Sequence, residues 1–399
     1  MEGNGEMSER YDRDAAEQWF RRRGLPALVK GRPRSLPVRI VPALAFAAVW
    51  ELLVIALDVL DGGSEAEFER RLENDLFLLG YYGLLLSLIV VPALTAWLVT
   101  KWVRRAVLAH RGTVVAAISA ALFVFVMPIA LRLAPDRDSP ALMVPVHAVV
   151  VALLLGIAFL GGGSIVGWSA RSAVRQAKSL GELTSRALPL FLLFTLFGFF
   201  TAEIWQFAAS IERRRMWWVV ALFVVVAVLF MLTMLSEEVR RLTAVRNARV
   251  ALDKLEGTPF RSYAGTVADT DRVPLSKVER ANMVLVLVLT QAFQTLVFAT
   301  LTFVFFVTFG KIALKDEVIK AYATSGPTPG TLFGIQIPVP NELLQVSLFI
   351  AAFSALYFTS STVTDEKYRV AFFDPLTDHL AVSLAARDVY RARLAATTT

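Results

Sequence analysis

The sequence predicts an all-α, polytopic membrane protein of about eight transmembrane helices joined to short cytoplasmic helices. Three observations predict it. Apolar residues make up 56% of the chain and the mean hydropathy is +0.57, above the roughly 45–50% apolar content of soluble domains. The excess is gathered into runs of about 20 residues, the length that crosses a hydrocarbon core of about 30 Å. Lys and Arg also alternate between rich and poor connections along the chain.

Residues 1–38 are polar and basic, and are expected on the cytoplasmic side. Tyr11, Ala15 and Trp19 share a face if Ser8–Arg23 is helical. Arg21, Arg22, Arg23, Lys30, Arg32 and Arg34 follow, interleaved with Leu25, Leu28 and Val29. Such a segment suits an anionic leaflet, although charges that only fix topology explain it more simply. Its mixed charge does not match a cleavable signal peptide.

Spans are expected near 40–60, 76–100, 113–132, 141–162, 187–209, 217–235, 282–310 and 342–361. They place six helices in 39–235, a cytoplasmic helix and loop in 236–281, two helices in 282–361 with an outer loop at 311–341, and a cytoplasmic helix in 362–399. Alternate connections, counted from the N-terminus, hold 31 Lys and Arg against 10 in the others. That asymmetry puts both termini in the cytoplasm with an even number of crossings, and the plasma membrane is the expected location. The 210–216 connection is the exception. Arg213, Arg214 and Arg215 fall on the outer side, between Trp205 and the Trp217-Trp218 pair. They suit outer-leaflet phosphates, or pairing with Glu203 and Glu212, and a chance cluster is the bland alternative.

Pro92, Pro128 and Pro145 lie inside spans, where each frees a carbonyl that neighbours must satisfy. Gly161-Gly162-Gly163 is preceded by no strand and followed by no Lys-Ser/Thr pair, so it reads as a helix end or a close helix contact rather than a phosphate cradle. Beyond the sixth span, Val239, Leu242, Val245, Leu252 and Leu255 form an apolar stripe that Gly257-Thr258-Pro259 ends. Asp374 and Pro375 read as N-cap and first residue of a helix whose face carries Leu376, Leu380 and Leu384. The two stripes are expected to dock on each other, with a partner protein as the alternative. Within 325–340, the text TLFGIQIPV suits a short hairpin, a lid or a structureless connector.

Five polar residues stand out by depth: Glu51, His147, Glu203, Gln291 and Gln294. By rise per residue they share a layer from the bilayer middle to its outer third. Gln291, Gln294, Thr295, Phe298 and Thr302 share one helical face. If these faces converge they line a polar cavity, with Glu51 or Glu203 as a proton or cation site and His147 as its titratable neighbour. Taken singly, the glutamines suit interhelical hydrogen bonds, Glu203 a snorkelling position, and His147 a carbonyl freed by Pro145. Glu51 is the clearest functional candidate, because a carboxylate near the midplane is costly.

The chain has no cysteine, which excludes disulfides and thiolate chemistry. Its three histidines are far apart, so no metal site and no cofactor is expected. The basic charge follows topology rather than nucleic acid. The expected partners are the lipid bilayer, a small solute or ion, and a cytoplasmic protein or second copy. Transport or permeation, with proton coupling through Glu51, is the leading function. A scaffold or signalling subunit is the alternative. A lipid enzyme built on Glu203 and the arginine triplet ranks last, since the chain lacks HExxH and aspartate-rich motifs.

The stretches Ala187–Gln206, Val278–Phe298, Phe305–Gly310 and Leu356–Asp374 resemble a group of multi-pass integral membrane proteins of actinobacterial type. That group carries no assigned activity. The resemblance implies topology and cellular setting, and transfers no site residue. Glu203 and Gln291 lie within the resembling stretches and Glu51 does not.

Overall fold

The computed structural model describes residues 15–29, 37–61, 65–108, 112–130, 140–159, 161–184, 195–244, 255, 258–260, 274–324, 326–332, 335–366 and 369–396. Residues 15–22 form α1. There follow α2 (Val41–Asp61), α3 (Glu65–Leu72), α4 (Asp75–Leu108) and α5 (Gly112–Ala121). A π-turn at Leu122–Val126 carries α5 on to Met127–Ala130. Then come α6 (Pro140–Phe159), α7 (Gly162–Thr184), α8 (Ala202–Ser210), α9 (Arg213–Ala244), α10 (Lys277–Ala313) and α11 (Asp316–Ala323). A hairpin of β1 (Gly330–Leu332) and β2 (Ile335–Ile337) precedes α12 (Asn341–Thr364) and α13 (Asp374–Ala396).

Six helices among the described residues are long and apolar enough to cross a membrane: Val38–Leu60, Asp75–Val103, Gly112–Ala130, Arg213–Arg241, Lys277–Ala313 and Asn341–Thr362. A seventh crossing results if Met143–Ala158 and Gly162–Arg175 together make one broken span. This supports the all-α, multi-pass class. The span expected at 187–209 falls partly on 185–194, outside the described residues; its described part is helical at 195–199, breaks at Phe200 and Thr201, and resumes as the nine-residue α8. The glycine run ends a helix as expected: α6 stops at Phe159, and Gly161 takes a left-handed φ of +78°. The connection expected at 163–186 is largely helical, as α7.

Several spans are largely open along their apolar faces. Only 11% of the most apolar window of α4 is buried, and Leu76, Leu79, Leu86 and Ile89 stand open. An apolar surface of that extent needs a nonaqueous solvent or a partner. In α12 the buried share rises to 56%, as befits a helix surrounded by others.

The chain divides into two compact units. One comprises Arg32–Gly163 and Thr328–Asn341. There Leu57 of α2, Phe68 of α3 and Tyr81 and Leu88 of α4 form a cluster that takes in Ile335 of β2. The expected hairpin is present, with Thr331 opposite Gln336. Tyr81 Oη donates to the Gln336 carbonyl at 2.8 Å, and Asn341 N donates to Thr328 O at 2.9 Å.

The other unit comprises Met1–Gly31, Ser164–Pro327 and Glu342–Thr399. Its core gathers Phe20 of α1, Trp168 of α7, Met231 and Val239 of α9, Met283 and Leu287 of α10, and Leu376, Leu380 and Leu384 of α13. Leu255 joins the same cluster. The stripes after the sixth and eighth spans thus share one core through Val239, Leu255 and the three leucines of α13; Leu242, Val245 and Leu252 carry no described side chain. Asp374 differs from its expected capping role, because a π-turn at Arg369–Phe373 leads straight into it. Ser276 caps α10 instead: its hydroxyl accepts from Glu279 N, and the Glu279 carboxylate accepts from Ser276 N.

Candidate functional site

In the first unit, α2 and α6 present an apolar seam interrupted by two polar side chains. Leu44, Ala47 and Ala48 of α2 and Val150, Val151 and Leu154 of α6 pack with Phe123 of the π-turn and Met127 just beyond it. Glu51 follows Ala47 and Ala48 by one helical turn, and His147 precedes Val150 and Val151 by one turn, so both continue the seam. His147 Nε2 lies 3.2 Å from Glu51 Oε2. The imidazole is buried, while the Glu51 side chain keeps 26% of its surface open. Phe123, within the π-turn of α5, sets its ring 4.8 Å from the imidazole. π-bulges inside helices recur at functional sites.

The second nitrogen settles the tautomer. His147 Nδ1 lies 2.9 Å from the Met143 carbonyl, which can only accept, so Nδ1 carries a proton. Nε2 then either accepts from a protonated Glu51 or, protonated itself, donates to an ionised one. The carbonyl freed by Pro145 is that of Ala141, four residues before it. His147 bonds Met143 instead, so repairing the proline break does not explain its position.

The remaining candidates lie in the second unit. Gln291 of α10 donates from Nε2 to Thr362 Oγ1 of α12 at 2.9 Å, and Thr295 meets Thr359 at 3.1 Å. Gln291 Oε1 is buried with no hydrogen bond among the described residues. Gln294 is buried on the same face. Phe298 stacks on Phe358 at 4.6 Å, which closes that face with aromatic rings. Glu203 is exposed in the first turn of α8. The structure therefore joins Glu51 to His147, and Gln291 to α12, in separate units.

The arginine triplet does not act as one cluster. Arg213 is half-buried and its charge couples to Glu342, whereas Arg214 and Arg215 are exposed. Arg215 Nε is 3.9 Å from Glu212. Trp205, expected at an interface, is fully buried and donates from Nε1 to the Phe199 carbonyl at 2.6 Å. Among the described residues no group of three His, Asp or Glu side chains comes together.

Compared with protein-family models, curated proteins and solved structures, the chain matches none.

Two polar centres went unnoticed in the sequence. Glu279, at the start of α10, receives Arg387 Nε at 3.0 Å and Nη2 at 2.9 Å, with Arg391 at 3.1 Å. Arg387 is fully buried. The text Ser276-x-x-Glu279 ahead of an apolar run was the available signal for the cap, though not for the arginines. His379 of α13 forms the other centre. Arg23 donates to its Nδ1 at 2.8 Å, so Nε2 carries the proton and faces the Arg23 carbonyl at 3.2 Å. Trp168 stacks on the ring at 4.0 Å. Burial, reinforced by the Arg23 charge, pushes the His379 pKa down to about 3.

Proposed function

We propose that the protein carries a small solute or ion across the membrane, with the Glu51–His147 pair taking up and releasing a coupled proton. The 3.2 Å contact between these side chains, one on the spanning helix α2 and the other on the first half of the broken pair α6–α7, supports the reading most directly. With one shared proton the pair is neutral in either form, protonated glutamate with imidazole or glutamate with imidazolium. A second proton makes it cationic, and losing the first makes it anionic. Charge at membrane depth is costly, so loading and unloading couple to a counter-charge on the solute. The open quarter of Glu51 offers the route of exchange.

The accompanying topology has eight crossings, both termini in the cytoplasm, in the plasma membrane. The Lys and Arg asymmetry supports it. The partner-binding scaffold has less support, since Leu376, Leu380 and Leu384 are buried within the chain's own core. In proteoliposomes under a pH gradient, Glu51→Gln is expected to abolish proton-coupled flux while elution profile and helical content stay unchanged. Flux equal to that of the unaltered protein would sink the proposal.

A further inference from the structure

A groove of about 520 Å³ runs along α10 in the second unit, walled by Leu232 of α9 and by Ala281, Val284, Leu285 and Val288. Lys277 and Arg280 line the same groove at one end. From Lys277 to Val288 the lining steps along a single face for about 16 Å. The cations occupy its first turn and the walls beyond are wholly apolar. Helix α10 has 37 residues, about 55 Å at 1.5 Å per residue, well beyond a hydrocarbon core of about 30 Å. The expected crossing begins at residue 282, so Lys277 and Arg280 fall within about 8 Å of its inner end, where lipid headgroups lie.

We infer that this groove is a binding site for one anionic phospholipid, with the acyl chain along Leu232, Val284, Leu285 and Val288 and the phosphate between Lys277 and Arg280. Charge complementarity argues for the anion. Both cations are exposed, and among the described residues no carboxylate pairs with either. The neighbouring Glu279 carboxylate is turned inward onto Arg387 and Arg391, so it does not neutralise them. Size argues for a lipid rather than a protein helix. About 520 Å³ suits a small-molecule ligand, whereas a helix with its side chains is about 10 Å across. A free phosphate would not need the apolar walls.

The test is lipid retention by the purified full-length protein, measured by native mass spectrometry after exposure to phosphatidylglycerol or phosphatidylcholine of matched chains. The unaltered protein is expected to retain phosphatidylglycerol about tenfold better. The Lys277→Gln/Arg280→Gln double variant, altered only at exposed positions, keeps its fold and loses that preference. Val284→Trp fills the groove and lowers retention of both lipids. Lys320→Gln, a cation outside the groove, changes nothing. Equal retention of the two lipids overturns the proposal, as does an unchanged preference in the double variant. Displacement by millimolar inorganic phosphate would likewise overturn it, by showing a simple anion site.

Discussion

The carbonyl of Met143 can only accept a hydrogen bond, and that single restriction puts a proton on Nδ1 of His147 and leaves Nε2 to face Glu51. Each partner was visible in the sequence by depth, but their pairing was not. They lie 96 positions apart, and only the rotation of α2 against α6 brings them face to face. If the pair is coupled, His147→Phe destabilises the protein less when Glu51 is already Gln. A double-mutant cycle on apparent melting temperature should then show a coupling of about 0.5–3 kcal/mol. His379 gives a prediction of opposite character. Its folded pKa is depressed from 6.5 to about 3, so between these values the unfolded chain binds a proton that the folded chain refuses. The stability this contributes is whole above pH 6.5 and drains away as pH falls toward 3. His379→Gln should flatten the decline in melting temperature between pH 7 and 4. An equally steep decline in the variant would count against this account.

Among elements, the joint between α10 and α13 depends on Glu279 and Arg387, whose side chains are 2% and 0% exposed. Arg387→Met leaves the buried Glu279 carboxylate with Arg391 as its remaining cation, so it should cost about 1.5–3 kcal/mol. Adding Glu279→Gln should recover part of that loss, as read by thermal unfolding. Packing of α10 on α12 is as close as glycine allows, since a Cβ at Gly310 would overlap the Leu343 side chain. Gly310→Ala should lower stability by about 1–3 kcal/mol, and Leu343→Ala in the same chain should relieve the overlap. The hairpin and the helix break at the glycine run were readable from local text, because turn chemistry is local. The burial of Trp205 was not, because it depends on Phe199 and on Phe306 of α10, which stacks on Phe199 at 5.1 Å. Periodicity reports that a helix has an apolar face, and does not say whether lipid or protein covers it.

For the molecule as a whole, hydropathy made the class legible, because lipid imposes length and apolarity on every crossing. The number of crossings was less legible. Breaks at Gly161 and before Ala202 interrupt helices that a hydropathy window reads as continuous or isolated. Reporters fused to the two ends should label the same face of the membrane if the count is even. Opposite faces would mean an odd number of crossings, the number that six spanning helices and one broken pair α6–α7 give. One feature of the second unit also bears on how the chain is made. Arg23 rests on His379, 356 positions later, and Glu17 accepts from the Tyr390 hydroxyl. Residues 15–29 leave the ribosome well before the helix that receives them. Until α13 has been made, Phe20 lacks the Tyr390 ring that lies 5.7 Å from it in the finished fold, and this early segment waits for a partner encoded hundreds of residues later.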